Sequence, residues 1–162
     1  ALVIRHLAPE VRFYSITLLD PDLRADGRAL LKACRKAASL QPDIIHLSLG
    51  TSGITYIPRF LLLRLTFPGT IVAAKKPGKG LSLPSGIPGV IGVEENDSPE
   101  DFSISFPSKF EAKAPGWAYT VPETMELPNR YSRGSSIAAA WVTGKIAADL
   151  ASVRKDAYKL ND

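Results

Sequence analysis

The sequence predicts a three-layer α/β fold, with a mostly parallel sheet held between helices. Three observations predict it. Ile44-Ile45-His46-Leu47-Ser48-Leu49-Gly50, Thr70-Ile71-Val72-Ala73-Ala74 and Val90-Ile91-Gly92-Val93 are near-continuous apolar runs of strand length. Strands covered on both faces have this pattern, whereas half-exposed strands alternate. Helical segments separate the runs, which is the order that builds parallel sheets. The chain has 162 residues, 45% of them hydrophobic and 22% charged, enough for one domain with a continuous core.

Each element can be justified in turn. Arg12 to Leu18 is rich in aromatic and β-branched residues and reads as a strand. Asp20-Pro21-Asp22 marks a turn. Asp26 is placed to cap a helix running to about Ser39. On that helix Leu30, Leu31, Cys34, Ala37 and Ala38 share one face, with Arg28, Lys32, Arg35 and Lys36 mostly opposite. Pro42-Asp43 breaks the chain before the strand at 44, and a short helix is expected over Pro58 to Leu65. Phe102 to Phe106 and Phe110 to Ala114 read as shorter edge strands, and an Ala-rich helix is expected from about Ser136 to Val153. Residues 1–153 are expected to form the domain and 154–162 a polar C-terminal tail.

Composition narrows the function classes. Twenty Lys and Arg against 16 Asp and Glu give a net charge of +4, mild and spread along the chain, so nucleic acid is not expected as a partner. No apolar run approaches the ~20 residues of a membrane span, and no membrane association is expected. A single cysteine, Cys34, cannot form an internal disulfide and reads as a small core residue. No Cys/His cluster suggests zinc. Asp97, Glu100 and Asp101 match no calcium-loop spacing, and Gly78-Lys79-Gly80 lacks the full phosphate-loop pattern. No cofactor is expected. Lys75, Lys76 and Lys79 make a basic loop, by default a solvated one. Leu61-Leu62-Leu63 reads as core packing, with a partner surface as the alternative. Trp117 and Tyr119 either line a cleft or pack. The compartment is not legible.

Ligands of parallel α/β sheets bind beyond the carboxyl ends of the strands. Three segments qualify: Ser48-Leu49-Gly50-Thr51, the loop from Lys75 to Gly80, and Arg133-Gly134-Ser135-Ser136 at the entry to the last helix. A serine at a helix start sits beside outward-pointing N–H groups and the positive end of the helix dipole. It can attack a carbonyl there while the N–H groups hold the oxyanion. Gly-Ser-Ser is equally a helix-capping sequence.

The order of segments resembles the subtilisin-like serine protease family. Leu7-Ala8-Pro9-Glu10 with Phe13-Tyr14-Ser15-Ile16 looks like the segment that follows the family's histidine motif. Asp43 to Gly50 resembles its D-V-I-N-M-S-L-G strand, and Thr70 to Ala74 the strand leading to its oxyanion asparagine. Leu83-Pro84 with Gly89 to Val93, Phe102 to Phe106, and Ala114-Pro115-Gly116 match further segments in order. Gly134-Ser135-Ser136-Ile137-Ala138 resembles the nucleophile motif G-T-S-M-A, and Gly144 falls at the glycine of the nucleophile helix. The resemblance covers nearly the whole chain.

The resemblance implies peptide-bond hydrolysis with Ser136 as nucleophile. It implies that Ser48, Leu49 and Gly50 pair with a peptide or protein substrate in extended conformation. By register the family's Asp and His would lie upstream of Ala1, in a segment that completes the site, and the domain would be incomplete at its N-terminus. His6 and His46 stand in neither family context; His46 occupies an asparagine position and reads as structural. No asparagine lies between Ala73 and Val93, so the oxyanion donor is expected from the Gly78 N–H, from Lys76 or Lys79, or from the region of Ser136 itself. Pro77 has no N–H to give. The helix carries Ala139-Ala140-Trp141-Val142-Thr143-Gly144 where the family has S-P-H-V-A-G. The expected function is a serine endopeptidase whose 162 residues alone are inactive. The alternatives are a degenerate homologue that binds an extended peptide without cutting it, and an unrelated α/β binding domain.

Overall fold

A computed structural model describes residues 1–19, 25–78, 80–118 and 133–159. The Asp20-Pro21-Asp22 turn, Lys79 and Tyr119 lie outside the described residues. Five strands make one sheet: β1 (Ile44–Leu47), β2 (Thr70–Ala74), β3 (Ile91–Glu95), β4 (Ser105–Ser108) and β5 (Glu111–Ala114). Their spatial order is β1-β2-β3-β5-β4. β1, β2, β3 and β5 run parallel, and β4 folds back on β5 as an antiparallel edge. Helices α2 (Gly27–Ser39) and α3 (Ile57–Thr66) pack on one face; α1 (Leu2–Leu7) and α4 (Ser135–Lys159) cover the other. The expected α/β sandwich with a mostly parallel sheet is what forms.

Why the central strands read as unbroken apolar runs is visible in β2. Ile71 and Ala73 point to a core shared with Leu30, Leu31, Cys34, Phe60 and Leu63. Val72 and Ala74 point to a second core with Val93, Ala112, Ala138, Trp141 and Val142. Successive side chains leave opposite faces of a strand, so a strand between two helical layers has no position left for a polar residue. Each fully buried large side chain contributes about 1.5–3 kcal/mol. Burial also pushes the Cys34 thiol up to about 12, which keeps it protonated and inert.

Local signals set the helix ends. The Asp26 carboxylate accepts the Ala29 N–H at 2.7 Å, capping α2 where expected. At the end of α3 the Arg64 guanidinium donates to the carbonyls of Phe67 (2.6 Å), Gly89 (2.9 Å) and Gly69 (3.4 Å), fixing the turn into β2.

Three elements differ from expectation. Residues 11–19 join no strand of the sheet, and Phe13 and Tyr14 are exposed. Strand propensity measures fit to a half-buried pleated surface, and among the described residues no neighbouring strand supplies one. α1 was not expected, because six residues are too few to be helical on their own. It forms because Val3 and Ile4 bury against α4. The approach is close: a Cβ at Gly144 would lie 3.2 Å from both the Ile4 Cα and the Leu7 Cβ. α4 runs on to Lys159 rather than stopping near Val153. Lys145 and Asp149 pair one turn apart along it, and Arg154 pairs with Asp43 below β1.

Candidate functional site

Parallel pairing brings the carboxyl ends of β1 and β2 side by side, and the first turn of α4 lies across both. The Ser135 hydroxyl donates to the Lys75 carbonyl at 2.6 Å, and the Ser136 hydroxyl to the Ser48 carbonyl at 2.9 Å. The Ser48 Oγ lies 3.4 Å from the Ser136 carbonyl in return. The serines thus fasten the helix start to the chain just after each strand. Ser136 is exposed and its neighbour Ser135 half-buried. N–H groups at a helix start have no acceptor within the helix, so those of Ser135 and Ser136 face the same space.

A cleft of about 410 Å³ opens here, lined by Ser48 to Ser52, Ala74 to Pro77, Leu81, Ser82, Ser135 and Ser136. Its far wall is held by an antiparallel bridge in which Thr51 and Leu83 exchange N–H···O bonds of 2.9 and 2.8 Å. Gly50 permits that approach, because a Cβ there would come within 2.7 Å of the Leu83 carbonyl oxygen. Leu49 and Gly50 lie between the end of the β1 ladder and this bridge, on the rim of the cleft.

The sequence-predicted residues divide by location. Ser48, Leu49, Gly50 and Ser136 come together as cleft lining, and so do Lys76 and Pro77. Gly78, with a left-handed φ of +89°, is not among the residues lining it. Lys75 is engaged elsewhere. Its ammonium pairs with Glu94 at 3.2 Å and Glu111 at 3.0 Å. Partial burial works against that charge, but the two carboxylates hold the pKa above the ordinary lysine value. Asp97 pairs with Lys113, and Asp101 accepts the Ser103 N–H. The Trp117 ring packs on Phe102, and its indole donates to the Pro99 carbonyl, outside the cleft.

Neither histidine is bonded to the Ser136 hydroxyl. His6, on α1, meets the Trp141 ring edge-on at 6.0 Å. His46 lies in β1 with Nδ1 2.9 Å from Thr143 Oγ1 and Nε2 2.8 Å from Ser48 Oγ. Burial first, and the N-terminal ammonium second, lower its pKa to about 4, so the ring is neutral at pH 7. Sequence reasoning included Ser135 only as part of the Arg133–Ser136 segment and missed the part played by Thr143. Thr143 stands seven residues after Ser136, on the same helical face, and that spacing was the available signal.

Comparison with known proteins finds the same fold in two solved structures. A solved structure described as a lanthipeptide protease superposes with a TM-score of 0.70 at 18% identity, covering 95% of this chain and 60% of that one. The prenylagaramide maturation protease PagA superposes with a TM-score of 0.62 at 22% identity, covering 85% of this chain and 54% of that one. The chain therefore spans little more than half the length of these neighbours. No protein-family model matches the chain. No curated protein matches it either.

These comparisons correct the expected membership of the subtilisin-like family. The similarity they establish is one of fold alone, and no family model carries it further. The patches behind the resemblance have a physical reason independent of family. Apolar strands suit a sheet covered on both faces, and Gly-Ser-Ser suits a helix start, whatever the family.

Proposed function

We propose that the chain carries the peptide-binding and nucleophile-bearing part of a serine-type peptidase. One observation carries the reading: an exposed serine hydroxyl, Ser136, stands at the first turn of a 25-residue helix and in a cleft walled by the end of β1. In the proposed reaction the Ser136 Oγ attacks the scissile carbonyl, and the N–H groups of the first turn of α4 stabilise the oxyanion. An extended peptide lies along Ser48-Leu49-Gly50, gaining affinity from main-chain hydrogen bonds and selectivity from the adjoining pocket. A peptide substrate agrees with the two structural neighbours, a lanthipeptide protease and a prenylagaramide maturation protease. The base for Ser136 is assigned to residues outside these 162, since His6 and His46 are committed elsewhere.

The test compares a longer protein, extended upstream, with its Ser136→Ala variant on a mixture of unstructured peptides followed by mass spectrometry. Cleavage that falls at least about 10³-fold in the variant is expected; cleavage surviving unchanged would remove Ser136 from the chemistry.

A second reading, binding without cleavage, is favoured by the loop after β2. Lys75 is ion-paired, Pro77 has no N–H, and Gly78 is not part of the cleft lining, so this loop contributes little to an oxyanion site. On that reading the longer protein binds peptides with micromolar affinity, and no product appears on long incubation.

A further inference from the structure

His46 lies in β1 and Ser48 is the first residue after it, two positions on, and their side chains meet on the α4 side of the sheet. There they meet Thr143, and the three side chains form a line: Thr143 Oγ1, His46 Nδ1 at 2.9 Å, and His46 Nε2 to Ser48 Oγ at 2.8 Å. The position of each proton follows from counting. The single hydroxyl proton of Thr143 goes to the Ala139 carbonyl at 2.8 Å. Its oxygen can therefore only accept from the imidazole, which puts the ring proton on Nδ1. Nε2 is then left with its lone pair toward Ser48. The Ser48 proton has one competing acceptor, the Ser136 carbonyl, at the longer distance of 3.4 Å.

A hydroxyl, a base that takes its proton and a third group that orients the base is the arrangement that activates a serine. The ring is neutral at pH 7, and the burial that holds its pKa near 4 also makes it a weak proton acceptor, so the reaction is slow and rests on the hydrogen-bonded geometry. Ser48 is exposed and lines the cleft. We propose that Ser48 is a second nucleophilic hydroxyl of this cleft, with His46 as its proton acceptor and Thr143 as the group that orients the imidazole, and that it takes up acyl and phosphonyl groups from activated esters and fluorophosphonates. The bond from Ser48 Oγ to phosphorus forms as the P–F bond breaks. The hydroxyl proton moves to Nε2, fluoride leaves, and the imidazolium returns its proton to water. With an ester the departing alkoxide takes the proton from Nε2. The orienting group is a neutral hydroxyl rather than a carboxylate, so the imidazolium is less stabilised and the reaction is slower than in a charged triad. The proposal goes beyond the Ser136 reading and concerns a different serine of the same cleft.

The test treats the 162-residue chain with a fluorophosphonate probe at pH 7.5 and maps the adduct by tryptic digestion and fragmentation. Ser48 falls on the peptide spanning 37–59 and Ser136 on 134–145, so the two are separated. An adduct on Ser48 is expected, forming about 100-fold more slowly in His46→Gln and about 10-fold more slowly in Thr143→Val. Circular dichroism establishes that each variant is folded, and Thr143→Val supplies the measurement if His46→Gln is not. An adduct on Ser136 alone overturns this proposal. The proposal is also overturned if neither serine is labelled, or if Ser48 is labelled at the wild-type rate in a folded variant; in either case peptide binding by the cleft still rests on its own test.

Discussion

A polar ring inside an apolar strand is a cost that its surroundings must offset. His46 meets it by hydrogen-bonding through both nitrogens while staying uncharged. That choice has a pH signature. Its pKa falls from 6.5 to about 4 on folding, so between these values the unfolded chain binds a proton that the native chain does not. Stability is therefore full above about pH 6.5, declines as the pH falls through this window and levels off near pH 4. The loss is at most about 3 kcal/mol. Urea unfolding at a series of pH values measures it, and His46→Gln should flatten the decline. Arg64 supplies a second prediction at this scale. It serves three carbonyls at once, so Arg64→Ala should cost about 2 kcal/mol, with Lys restoring only part because an ammonium lacks the planar fork.

At the scale of elements, legibility followed how local each cause was. α2 was readable to the residue because Asp26 and the spacing of Leu30, Leu31 and Cys34 are local signals. β2 was equally plain, since both its faces are buried. α1 was hidden because its helicity comes from α4, more than 130 residues away in sequence. Residues 12–18 misled because propensity is local and a pairing partner is not. The candidate site shows the same division. Ser48, Gly50 and Ser136 were legible as chain segments after strands and before a helix, whereas the line through Thr143 needs the packing of α4 on β1. The α1–α4 contact gives a prediction of its own. Gly144→Val should drive α1 off the helix and lower stability by about 1–3 kcal/mol, and limited proteolysis should then cut within residues 1–9. Trp141 is fully buried between these layers and donates its indole N–H to the Trp117 carbonyl, so Trp141→Ala should cost about 3–5 kcal/mol by denaturant titration.

Across the whole molecule, one sheet carries two dissimilar ends. At one side β4 is exposed along its whole length and contains Pro107, which lacks the N–H a further strand would need. At the other, β1 gives way to Ser48-Leu49-Gly50 beside the cleft. The two sides therefore differ in their tendency to self-associate. On the proposed binding mode, crowded molecules would compete with the peptide for the β1 side, while Pro107 makes the β4 side a gatekeeper against fibrous growth. Light scattering at rising protein concentration should show association that a saturating peptide suppresses, and Pro107→Val should open a second route to aggregation that the peptide leaves untouched.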